Sequence, residues 1–137
     1  MITEDYVSFE TAKLLKEKGF DCPCKVWYAE YTSQFSGEKY NSLESDDYNI
    51  FNGDYKFLFY VPTLQMAMKW LRDEKNYYIQ VMLDGWACGG HLGYYVVIQK
   101  TDSDFEMMLQ DAVDEVFYQT YEEACEAAIK YCLENLI

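Results

Sequence analysis

Positive charge is scarce in this chain. Eleven Lys and Arg stand against 24 Asp and Glu, for a net charge of −13, and His91 is the single histidine. So acidic a surface repels nucleic acid and anionic membranes at long range, and neither is expected as a partner. No apolar run approaches the roughly 18 residues of a membrane span. The first ten residues, MITEDYVSFE, are acidic and lack the basic-then-apolar pattern of a signal peptide, so a soluble cytoplasmic protein is expected. The phosphate-cradling patterns G-x-x-x-x-G-K-[ST] and G-x-G-x-x-G are both missing; Asp84-Gly85 and Gly89-Gly90 do not replace them. Asp102, Asp104 and Glu106 lack the spacing and central glycine of a calcium-binding EF-hand loop and read as a solvated turn. Five cysteines is an odd number, without the spacing of a secreted disulfide framework, so reduced thiols are expected.

What is present is apolar and aromatic. Half the residues are hydrophobic, which separates the chain from disordered sequences. At 137 residues it suits a single domain, 1–137, that buries roughly two-thirds of its unfolded surface. The organising stretch is Pro62–Leu83, PTLQMAMKWLRDEKNYYIQVML. Thr63 is a good N-cap, and from Leu64 to Lys75 no Gly, Pro or β-branched residue interrupts a helix. Leu64, Ala67, Met68 and Leu71 share one face, and Met66 and Trp70 widen the arc beyond what one sheet face needs. Either a second helix covers the extra arc, or a partner does. Asn76 ends the helix. Tyr77, Ile79, Val81 and Leu83 then alternate with Tyr78, Gln80 and Met82, as in a half-buried strand.

Other elements follow from caps and turns. Ser8 caps a helix over Phe9–Lys18, closed by Gly19 in the left-handed position with Phe20 folding back. Lys25–Tyr31 and Tyr55–Val61 read as aromatic-rich strands. Thr32–Asn52 reads as a long loop or flexible hairpin tip. Tyr94–Lys100 pairs back on Tyr77–Leu83 as a hairpin, and Thr101–Asp104 is a turn. Residues 105–118 fit either strand or helix, with the balance slightly toward a strand at Phe105–Leu109. Thr120 and Glu123 form a capping box for a final helix, Tyr121–Leu136. The expected fold class is α+β: an antiparallel sheet of about four or five strands with three main helices packed largely on one face.

Three blocks, YVSFETAKLLKEKGFDCPCKVWY at Tyr6–Tyr28, PTLQMAMKWLRDEKN at Pro62–Asn76 and YEEACEAAIKYCLENLI at Tyr121–Ile137, carry a likeness. Together they resemble a group of small proteins from gut Bacteroidales and their phages or integrated mobile elements. The resemblance implies the setting of a mobile-element accessory protein. It implies no activity, cofactor or site residues.

Candidate chemistry is sparse, and no catalytic or cofactor-binding residue is assigned. Cys22, Cys24, Cys88 and His91 are the one constellation of zinc-ligand types, but Cys-Pro-Cys is too tight for a common zinc knuckle; separate thiols and a loop histidine are the plainer reading. Cys88 and His91 share a glycine loop, as a thiol nucleophile and base would, without an orienting group or a cleft to point to. Fourteen tyrosines and three tryptophans are the other notable feature. Either they fill a small α+β core and half-cover an open sheet face, or they form a protein-binding surface, with Met66, Trp70, Trp86 and Tyr94 as its candidate residues. The leading expectation is a non-enzymatic protein-interaction module with an unidentified protein partner or a second copy of itself. The alternatives are an acidic inhibitor that mimics DNA, and a small Cys/His zinc protein or thiol enzyme.

Overall fold

A computed structural model of the chain describes residues 2–46, 55–84, 93–109 and 117–137. Among the described residues the fold is α+β, with two three-stranded antiparallel sheets and three α-helices. Two compact units make up the chain: Tyr6–Pro62, and Met1–Asp5 together with Thr63–Ile137.

In the first unit, helix α1 (Phe9–Glu17) starts where Ser8 Oγ accepts the Thr11 N–H at 3.2 Å. It ends at Gly19, whose φ of 102° is free of the Cβ clash other residues would meet. Phe20 folds back, its N–H on the Leu15 carbonyl at 2.9 Å and its ring buried, as the sequence predicts. Strands β1 (Val26–Thr32), β2 (Lys39–Ser45) and β3 (Tyr55–Tyr60) follow, in the order β2-β1-β3. A bulge between Tyr28 and Ala29 shifts the β1–β3 register. On one sheet face Phe9 of α1 packs on Tyr28 and Phe59, ring centroids 4.8 and 5.3 Å away. On the other, Tyr31 lies between its register partners Tyr40 and Tyr55, at 5.5 and 5.7 Å. Ala29 and Ser42, the small pair next along, leave room for the Tyr31 phenol to lean down the sheet. Its hydroxyl donates to Glu44 Oε1 at 2.9 Å, and Ser42 Oγ donates to the same oxygen at 2.9 Å.

In the second unit, Thr63 Oγ1 accepts the Met66 N–H at 3.2 Å and opens α2 (Leu64–Lys75). Asn76, left-handed at φ 64°, turns the chain straight into β4 (Tyr77–Asp84). Strands β5 (Gly93–Lys100) and β6 (Glu106–Leu109) complete a meander in the order β4-β5-β6. Tyr118 takes up pairing to Tyr94 beyond β6, through two bonds of 2.8 Å. Thr120 Oγ1 accepts the Glu123 N–H at 3.1 Å and caps α3 (Tyr121–Tyr131), which runs on into one π-helical turn at Cys132–Leu136. The core lies between this sheet and its helices: Val96 and Ile98 below, Leu71 from α2, and Ala124, Ala128, Ile129 and Leu133 above. Alanines at two of those positions let α3 approach β5 closely. Each large apolar side chain sealed here contributes about 1.5–3 kcal/mol relative to exposure.

Two expectations are corrected. The single sheet of about four or five strands is two sheets of three, because hydrophobic pattern marks a strand without naming its neighbour. Lys39–Ser45, inside the stretch expected as a long loop or hairpin tip, is β2. Its side chains are mostly exposed, so no alternation signals it; backbone pairing to β1 makes it a strand. The strand reading of Phe105–Leu109 holds over Glu106–Leu109, and 110–116 lies outside the described residues.

Candidate interaction surface

The second sheet buries one face under its helices and leaves the other open. Because strand side chains alternate, Tyr78, Gln80 and Met82 of β4, Gln99 of β5, and Glu106 and Met108 of β6 point to that open face. Tyr78, Met82 and Met108 are 38, 39 and 59% exposed. Two rows cross the strands. Tyr78, Gln99 and Glu106 are register neighbours, as are Gln80, Val97 and Met108. Gln80 Nε2 donates to Gln99 Oε1 at 3.0 Å, and Gln99 Nε2 donates to Glu106 Oε2 at 3.5 Å, so the amides are held in a line ending on a carboxylate. The Arg72 guanidinium stands over the Tyr78 ring, 5.9 Å from its centroid, a cation–π contact worth about 0.5–1 kcal/mol when exposed. Toward the Thr101–Asp104 turn the face opens into a groove of about 640 Å³, lined among others by Tyr78, Gln80, Gln99, Ser103, Phe105 and Glu106.

Charge is unevenly spread. In the sequence of the second unit, Lys69, Arg72, Lys75, Lys100 and Lys130 face fifteen Asp and Glu, whereas the first unit has six bases and nine acids. The bases of α2 gather toward its C-terminal end, where the helix dipole favours them. There Lys69 Nζ, 2.6 Å from Asp73 Oδ2, holds that carboxyl below its usual range by hydrogen bonding first and charge second.

The four residues singled out from the sequence do not form one surface. Trp70 is only 8% exposed and belongs to the core, with Lys75 Nζ 5.4 Å from its ring centroid. Its place on α2 corrects the docking-surface expectation: the arc at this position is buried. Met66 is 41% exposed. Tyr94 points to the helix-covered side of its sheet, half-buried, edge-on to Tyr121 at 6.3 Å. Trp86 lies outside the described residues. The residues that do share an exposed face, Tyr78, Gln80 and Met82, are the less apolar half of the β4 alternation; Met108 falls in the stretch that sequence pattern leaves ambiguous.

Of the zinc-type set, Cys88 and His91 lie outside the described residues. The Cys24 thiol donates to the Cys22 carbonyl at 3.3 Å and is pushed up to about 11, by burial first and by Cys22 second. That opposes the thiolate a metal or a nucleophile needs. Among the described residues no three His, Cys, Asp or Glu side chains converge as a metal site would require. Cys125 and Cys132 are core thiols, lifted by burial to about 11 and about 12. No described helix is long and apolar enough to cross a membrane.

No family description, curated protein or solved structure matches this chain.

Proposed function

We propose that the chain is a non-enzymatic protein-interaction module that binds a protein partner through the open face of β4–β5–β6. One observation supports this reading: exposed Tyr78, Met82 and Met108 surround the hydrogen-bonded Gln80–Gln99–Glu106 line. Tyr and Met are enriched where proteins meet, and pre-aligned amides supply direction without a large ordering cost. A flexible thioether adapts its shape to an apolar partner surface.

The test is affinity capture from the native host with the wild-type chain and a Met108→Asp chain. Both must first show the same far-UV circular dichroism and melting temperature. A protein held by the wild type and lost from the Met108→Asp chain supports the reading. A partner retained equally by both overturns it.

A second reading, an acidic inhibitor that mimics DNA, draws on the concentration of negative charge in the second unit. It requires a basic partner and steep weakening with salt. A complex unchanged between low and high salt counts against it.

A further inference from the structure

We infer that two copies of this chain associate by antiparallel pairing of β4 with β4 about a two-fold axis at Gln80, joining the two second sheets into one of six strands. This goes beyond the open-face reading and rests on different atoms, the backbone edge of β4. The Thr101 N–H donates to the Asn76 carbonyl at 2.7 Å, which sets the phase of the β4–β5 ladder. Bonded positions alternate, so 78, 80 and 82 spend their backbone groups on β5, while those of Tyr77, Ile79, Val81 and Leu83 point away from it.

Among the described residues no strand pairs with this edge. Ile79 and Val81 share a sheet face with their register partners Ile98 and Val96. The β5 pair is 0% exposed, yet Ile79 and Val81 are only half-buried and Leu83 is 56% exposed. The edge is also unguarded. Between Asn76 and Asp84 there is no charged residue and no proline, the devices that keep edge strands apart.

The occupant follows from self-complementarity. With Gln80 opposite its own copy, Tyr78 faces Met82, Tyr77 faces Leu83 and Ile79 faces Val81, each pair occurring twice. Every apolar residue meets an apolar one, and the Gln80 amides meet at the axis. The ends match in charge as well. Arg72 and Lys75 stand in the last turn of α2, at the Asn76 end of β4, and Arg72 reaches the Tyr78 ring. Asp84 closes the opposite end. Antiparallel pairing brings the basic end of each copy to Asp84 of the other, and no like charges fall opposite.

Sedimentation equilibrium of the wild-type chain is expected to show a concentration-dependent mass rising to twice 16.2 kDa. Val81→Lys puts a charge on the edge at a half-buried position whose backbone groups point away from β5, and its dissociation constant is expected to rise about tenfold or more. The axis is read by cross-linking in a Cys22→Ser/Cys24→Ser/Cys88→Ser background. There Gln80→Cys is expected to form an intermolecular disulfide under mild oxidation, because directly opposed, non-hydrogen-bonded strand positions lie within disulfide reach. Met82→Cys, opposite Tyr78, is expected to stay reduced. A single-chain mass at every concentration overturns the proposal. So does a dimer indifferent to Val81→Lys in which Gln80→Cys fails to cross-link. Met108→Asp, on the far strand, is expected to leave the dimer intact, so this inference and the open-face reading can fail separately.

Discussion

Tyr31→Phe removes the hydroxyl that donates to Glu44, and its effect is read at neutral and at alkaline pH. The Tyr31 ring is 2% exposed and its hydroxyl donates to Glu44 Oε1 at 2.9 Å. Phenylalanine keeps the ring and its packing between Tyr40 and Tyr55, so the change removes the donor without opening a cavity. A hydrogen bond to a charged group is worth about 1.5–3 kcal/mol net. Glu44 keeps the Ser42 hydroxyl after the change, so the loss falls toward the low end, about 1–2 kcal/mol. Burial, then the Glu44 hydrogen bond, lift the Tyr31 phenol from 10.0 to about 12. The folded state therefore holds this proton more tightly than the unfolded one. The stabilisation is complete below about pH 10 and is lost as the pH rises toward 12. Urea unfolding of both proteins at pH 7.0 and at intervals above pH 9 checks this. The wild-type advantage is expected at neutral pH and shrinks across the alkaline range. Cys125 and Cys132 also titrate there, but both proteins contain them and the difference curve removes them. A difference below about 0.5 kcal/mol at neutral pH, or one that stays flat through the alkaline range, would mean that the Tyr31–Glu44 bond does not stabilise the fold.

Further outcomes follow from single contacts. Ile98→Ala empties a site at 0% exposure and is expected to cost about 2–5 kcal/mol in urea unfolding. Asn76→Val forces a β-branched residue to φ 64° and is expected to destabilise by about 1–3 kcal/mol, whereas Asn76→Gly stays within about 1 kcal/mol of wild type. In a Cys88→Ser chain a thiol reagent at pH 7.5 is expected to modify exposed Cys22 first and Cys24 slowly. Cys125 and Cys132 react only after denaturant is added, and mass spectrometry of tryptic peptides checks the order.

The helices were legible because their ends are written in local chemistry. Ser8, Thr63 and Thr120 each accept a first-turn N–H, and Gly19 and Asn76 each adopt the left-handed turn that stops a helix. The β4–β5 hairpin was legible from alternation. Strand β2 was not: KYNSLES carries no apolar face, and only its pairing with β1 defines it. The division into two sheets was equally hidden, since which strands become neighbours depends on contacts far apart in sequence. Trp70 shows the limit of arc-counting: a wide apolar arc on α2 signals burial as readily as docking, and here the tryptophan is buried. The open face was half visible. Tyr78, Gln80 and Met82 stood out as the mixed side of a strand, but their alignment with Gln99, Glu106 and Met108 needed the register of a strand that sequence pattern did not resolve.

A protein partner seated on the open face of β4–β5–β6, as proposed, is read by methionine oxidation. The chain is oxidised with limiting peroxide, alone and in complex with the captured partner, and each sulfoxide is quantified by peptide mass spectrometry. Met82 and Met108, exposed in the isolated chain, are expected to become protected in the complex. Met68, 7% exposed, stays unreactive in both and serves as the internal reference. Equal oxidation of Met82 and Met108 with and without the partner would mean that the partner binds elsewhere.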